Sequence, residues 1–308
     1  AGGMSGREAI EEAWRLVLAR DPSEVELDIA LSHHAKQKGR FERAEVSEPD
    51  LSGIPGQGLS LWLAADRGLK MDSKGRALRW LDGSGEEHHA RQGESKRRPR
   101  LVRDAIAGYS ALRFSGKGDY LSLEGEVVNS QANTIIAVAR DRSGLVSHRG
   151  IFSNWNGSAG NSTTSLFLGL TGKGTVRFSD DYRSEGAIER PEDAFVLAAS
   201  TGSGGSMILY NGSVIASRSS SLSRRKLGGS YVIGQQGNID GEYWTGDIAE
   251  ILVYNRQLSA AEIRRVGKVL AKKYSVPFSS RESIRDSDPE LRALASVCHV
   301  LLNTNEFL

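Results

Sequence analysis

Between Leu59 and Tyr254 the chain breaks into short apolar segments separated by Gly, Asn, Asp and Ser, and this punctuation limits its fold more than any other feature. Strands are predicted at Leu59–Ala64, Ala77–Leu81, Ala111–Phe114, Tyr120–Leu123, Thr134–Ala139 and Ile151–Trp155. Others follow at Ser165–Leu170, Thr175–Phe178, Phe195–Ala199, Met207–Ile215, Tyr231–Gly234 and Ile248–Tyr254. Segments of this length between turn residues pack as two antiparallel sheets, so a mainly β sandwich is expected. The sharpest local signal is Asn211-Gly212 inside Met207–Ile215. That pair tolerates the two positive φ angles of a type I′ turn, so the segment is a hairpin.

Both ends of the chain change period. Ala9, Ile10, Ala13, Trp14, Val17 and Leu18 recur at helical spacing, and Ser23 with Glu26 forms a capping box that opens a second helix. Ser259 and Glu262 repeat that box before Ile263, Val266, Val269, Leu270 and Tyr274, which line one face of a helix closing the β region. Asp288-Pro289 opens a last helix with Leu291, Leu294, Cys298 and Leu301. A lone short helix cannot bury its apolar side. The expected organisation is therefore a helical domain split between residues 1–40 and 286–308, linkers at 41–54 and 276–285, and a sandwich over 55–275.

Charge excludes some partners. With 40 Lys+Arg against 38 Asp+Glu the net charge is +2, too small to steer the chain to nucleic acid. The run Lys96-Arg97-Arg98-Pro99-Arg100 has no interleaved aromatics and reads as a solvated loop. The single cysteine, Cys298, allows no disulfide within the chain. No stretch reaches the ~18 apolar residues of a membrane span.

Longer motifs carry a resemblance. Leu61-Trp62-Leu63-Ala64-Ala65-Asp66, then Leu78-Arg79-Trp80-Leu81-Asp82, then Phe114-Ser115-Gly116 with Asp119-Tyr120-Leu121, the Tyr210-Asn211-Gly212 turn, and Gly246-Asp247-Ile248-Ala249-Glu250 through Ser259 stand in order. Together they resemble laminin G-like, concanavalin A-like domains, which implies a jelly-roll β-sandwich of lectin-like, carbohydrate-binding type. The ends, Ala13-Trp14-Arg15-Leu16 and Leu294 to Leu308, resemble the C-terminal helical part of a planctomycete family of exported proteins of unknown function. That likeness implies a periplasmic or extracellular setting with a signal peptide further upstream. It supplies no haem site here, since Ala295 stands where the first cysteine of Cys-x-x-Cys-His would be.

The chemistry of an enzyme is hard to find. A glycosidase on this fold needs two carboxylates on one face of a strand. Glu242 and Asp247 have opposite parity, and Glu250 sits in an apolar run, so the chain reads as non-catalytic. Adjacent side chains such as His88-His89 point apart on a strand, and the resemblance implies a turn there, so a structural or solvated role is expected rather than a metal site. Structural calcium is an open alternative: Asp82, Asp119 and Asp247 are either its oxygen donors or turn residues bonding their own backbone. Glycan binding needs an aromatic face with polar groups beside it. Trp62 and Trp80 are assigned to the core, while Trp155, Tyr182, Tyr243 and Trp244 stand among polar residues at strand ends. Those four are the candidate ligand contacts, with packing at the rim as the other reading. The expected partner is a glycan or an extracellular protein, the second implying a structural or interaction insert.

Overall fold

A computed structural model describes residues 6–18, 20–32, 53–144, 147–155, 164–228, 230–236 and 241–279. The chain divides into two compact units, residues 1–50 and 51–308. The expected second half of the split helical domain, 286–308, lies outside the described residues, as does Cys298.

In the first unit α1 spans Gly6–Leu18 and α2 residues 24–32. The capping box at the start of α2 forms as expected. Ser23 N donates to Glu26 Oε2 at 2.9 Å and Glu26 N donates to Ser23 Oγ at 3.4 Å.

The second unit is a sandwich of two antiparallel sheets. One runs β15 (Ser213–Arg218), β14 (Gly205–Tyr210), β13 (Phe195–Gly202), β8 (Asn133–Asp141), β17 (Thr245–Tyr254), β6 (Tyr109–Ser115) and β5 (Arg100–Ile106). Strand β1 (Leu59–Ala64) pairs with the second half of β17, whose first half pairs with β6. The other sheet runs β12 (Tyr182–Ala187), β11 (Thr175–Phe178), β10 (Phe167–Leu170), β9 (Arg149–Trp155), β16 (Ser230–Ile233), β7 (Leu121–Leu123), β4 (Ala90–Arg91), β3 (Ala77–Trp80) and β2 (Leu69–Met71). The β14–β15 turn has Asn211 at φ 48° and Gly212 at φ 83°, the positive pair that the sequence called for.

Alternation along the strands builds the core. Leu112, Phe114, Ile135, Ala137 and Ile251 of the first sheet meet Leu168, Leu170, Val176, Phe178 and Ile233 of the second. Each such side chain contributes roughly 1.5–3 kcal/mol when fully buried. The other face of the first sheet is apolar too, through Ala111, Ile136, Val138, Ala249 and Leu252. Helix α3 (Ala260–Tyr274) covers it with Ile263, Val266, Leu270 and Tyr274. We therefore call this the helix-backed sheet.

The capping box of α3 is complete, with Ser259 Oγ accepting from Glu262 N and the Glu262 carboxylate accepting from Ser259 N. Near the other end, Lys273 Nζ meets Glu250 Oε2 at 2.7 Å and Asp66 at 2.9 Å. Tyr274 and Trp62 also donate to Glu250, which is fully buried. An ion pair thus ties helix to sheet where the sequence showed only an apolar run.

Candidate functional site

The structure separates the four aromatic candidates. Trp244 is fully buried in the inner core, and Tyr182 joins the same core at 9% exposure. Both correct the expectation of a free stacking face. Trp244 N donates to the carbonyl of Gly234, so the chain is already extended ahead of β17. Alternation from Tyr243 then turns Trp244 inward. Tyr182 opens β12 opposite Phe178, under the Arg218 guanidinium at 4.6 Å, and burial pushes its hydroxyl pKa up to about 12. The backbone of Trp155 pairs with Ser230 at the end of β9. Tyr243 is half-buried and remains at the surface, bridged to Gln235.

Around Tyr243 the structure assembles polar groups on the outer face of the second sheet. Val176 and Phe178 point into the core, so Arg177 between them points out; Phe167 points out by the same alternation. The Arg177 guanidinium lies 4.6 Å over the Phe167 ring. It donates to Glu242 Oε2 at 2.7 Å and to Asp180 Oδ1 at 3.2 Å, while its Nε has no hydrogen-bond partner among the described residues. Gly169, opposite Arg177, and Gly150, opposite Gly169, leave the sheet beside it without side chains. A Cβ at Gly150 would meet the Gln235 and Gln236 backbone at 2.7 Å, so only glycine fits that approach.

The buried pair Phe167 and Arg177 has a more exposed rim. Arg183 stands across from Arg177 on β12, and Asp180 and Glu242 keep 29% and 17% of their side-chain surface. Exposed His148 is held below the usual histidine range by desolvation and by the positive charge of Arg177. From Glu242 the chain leads directly to Tyr243, which lies near Arg97, and Arg97 in turn lies 5.7 Å from the Tyr120 ring centre. The rim therefore combines the half-buried Tyr243 with carboxylates, guanidiniums and an imidazole, the donor and acceptor mix that reads hydroxyl groups. Sequence reasoning missed Phe167, Arg177 and His148. The one available signal was Arg177 as an outward charge inside the otherwise apolar Thr175–Phe178 segment.

The three carboxylates considered for catalysis are all engaged. Glu242 pairs with Arg177, Asp247 with Arg113 and Glu250 with Lys273. Asp247 and Glu250 nonetheless share a face. A register shift against β8 between Ile248 and Glu250 breaks the alternation, so both lie on the helix side of the sheet.

The three aspartates named for calcium are engaged with donors of the chain itself. Asp82 accepts from the backbone N–H of Trp62, Ser84 and His88, and Asp119 from that of Ser115, so these oxygens face donors. Asp247 has arginines around it, which repel a cation. Among the described residues no three His, Cys, Asp or Glu side chains converge as a metal site requires. His88 Nδ1 lies 2.9 Å from the Glu124 carbonyl, and His89 Nδ1 accepts from Asp82 N at 2.9 Å.

Residues 115–264 match the family model of the concanavalin A-like lectin/glucanases superfamily. The chain thus carries a concanavalin A-like, laminin G-like domain. Domain 4 of an extracellular GH43 arabinanase from Geobacillus stearothermophilus, solved with arabinotriose, is similar over 68% of this chain and 98% of that one, at 14% identity and TM-score 0.51. A Trypanosoma rangeli sialidase solved with sialic acid is similar over 80% of this chain, at 14% identity and TM-score 0.52. This chain spans only 38% of that sialidase. At such identity both likenesses establish the fold alone. A search of curated proteins gives no match. No helix among the described residues is long and apolar enough to cross a membrane.

Proposed function

We propose that the domain is a non-catalytic carbohydrate-recognition module of an exported protein, and that it binds glycans on the outer face of its second sheet. One observation carries this reading: the buried Arg177 guanidinium, 4.6 Å over the Phe167 ring, holds Glu242 and Asp180 at a more exposed rim with Tyr243 next to Glu242. A sugar ring presents an apolar C–H face and a rim of hydroxyls, which such a surface matches. The non-catalytic part is supported by the ion pairing of Glu242, Asp247 and Glu250, since a nucleophile or general acid must be free to reach substrate. That domain 4 of the arabinanase, similar over 98% of its length, was solved in complex with arabinotriose is consistent with the reading.

The test is a glycan array with the full chain, followed by titration of any hit against Tyr243→Ala and Glu242→Gln. Losing a stacking face should weaken binding roughly five- to 150-fold, by analogy with aromatic stacking on other planar ligands. Thermal stability of Tyr243→Ala should stay near that of the wild type, because that side chain reaches the surface, whereas Glu242→Gln removes the nearer carboxylate partner of the buried Arg177 and should lower it. An array without reproducible hits would instead favour the insert as a structural or protein-interaction element. Release of reducing ends from a hit would contradict the non-catalytic part.

A further inference from the structure

The helix-backed sheet carries a second charged feature on a different face. Arg100 of β5 stands opposite Arg113 of β6, Arg113 opposite Asp247 of β17, and Asp247 opposite Arg140 of β8. These residues form one cross-strand row on the same face as α3. One step along each strand, Val102, Ala111, Ala249 and Val138 replace them, the last three in the cluster that α3 covers. The row thus lies just past the apolar patch. Arg142 joins it from the end of β8.

The charges in this row do not balance. Asp247 is fully buried and binds Arg113 through both oxygens, at 2.6 and 3.0 Å. That bidentate pair uses the carboxylate's best geometry. Arg140 and Arg142 approach the same carboxylate at 3.9 Å each, beyond hydrogen-bond length. Arg140 also has a buried Nε with no partner among the described residues. Arg113, Arg140 and Arg142 keep 36%, 24% and 48% of their side-chain surface, and Arg100 is exposed. One carboxylate therefore gathers three guanidiniums, with Arg100 beside Arg113 as a fourth, and all still face solvent. Repulsion among them falls when an external anion arrives, and the planar fork suits carboxylate and sulfate groups.

We propose that this row binds linear polysaccharides bearing carboxylate or sulfate groups. Three strand spacings of about 4.8 Å give the row a length of roughly 14 Å, enough for successive anionic groups of one extended chain. Nucleic acid fits less well, because no aromatic ring stands in the row for bases to stack on.

The test is retention of the full chain on immobilised heparin, a sulfated polymer, and on immobilised polygalacturonate, a uronate polymer, with dextran as the neutral blank and increasing sodium chloride. Retention on one or both anionic polymers and not on dextran is expected, and the polymer retained identifies the anion. Arg140→Gln with Arg142→Gln should weaken binding about tenfold and lower the slope of log affinity against log salt by roughly 1.5–2. Arg140→Lys with Arg142→Lys should keep most of the salt slope, since charge is retained.

No retention of the wild type on either polymer would overturn the proposal. So would unchanged binding by a folded double Gln variant, or tighter binding to duplex DNA of matched charge. Should the double variant unfold, Arg142→Gln alone, at an exposed position, is expected to lose about two- to threefold, and an unchanged affinity would refute the site. Tyr243→Ala and Glu242→Gln lie on the other sheet and should leave polyanion binding intact, which keeps this inference separable from the glycan site of the second sheet.

Discussion

Replacing Trp244 by Ala tests the architecture where sequence and structure diverge. The side chain is fully enclosed in the inner core. Truncating a buried tryptophan costs about 3–5 kcal/mol through lost transfer energy and the cavity left behind. In a domain of this size each kcal/mol shifts the melting temperature by roughly 2–4 °C, so a drop of about 6–20 °C is expected. Trp244→Phe should behave differently. The indole Nε1 has no hydrogen-bond partner among the described residues, so phenylalanine removes an unsatisfied donor as well as some volume. The two effects oppose each other, and a net loss below ~2 kcal/mol is expected. Circular dichroism melts of both variants measure this. An Ala variant melting within ~2 °C of the wild type would show that Trp244 does not sit in the core.

Lys273→Met leaves the enclosed Glu250 carboxylate without its cation and should destabilise by about 3–5 kcal/mol, and adding Glu250→Gln should recover part of that loss in a denaturant titration. Glu262 is held down to about 2, mainly by the Arg256 side chain and then by the Ser259 cap. Its contribution is complete above the unfolded value of 4.5 and is lost as the pH falls toward 2, so Glu262→Gln should flatten that stretch of the stability profile. A fragment spanning 53–279 should show one cooperative thermal transition, since both sheets and α3 lie within it. Aggregation or a broad transition of that fragment would refute the boundaries.

Most of the strands that the sequence displayed lie inside the sheets, while the border strands β1 and β15 showed through an apolar run and a hairpin turn. Thr175–Phe178 and Leu59–Ala64 were read to the residue, because burial writes a strong apolar pattern. The strands missed were β2, β5 and β12, which lie at sheet edges, and the two-residue β4. An edge strand has less surface to bury, and β5 starts at Arg100, where the run read as a basic loop ends, with the charges of Arg103 and Asp104 interrupting its apolar residues. Capping boxes and the Asn211-Gly212 turn were legible because their chemistry is local. The site was not. Phe167, Arg177 and Glu242 come from separate parts of the chain and meet only through strand order, while Arg100, Arg113, Asp247 and Arg140 align only through register. At β17 a register shift brings Glu250 to the side of Asp247, which simple alternation along the sequence does not show.

The central claim concerns where a sugar sits. Amide chemical-shift mapping of the labelled chain, titrated with the best array ligand, tests it most directly. Shifts should concentrate at His148–Ser153, Phe167–Gly169, Arg177–Arg183, Gln235 and Glu242–Tyr243, with α3 and its sheet face unmoved. Shifts confined to α3, to the β14–β15 hairpin or to residues 20–32, with the second sheet silent, would contradict the account.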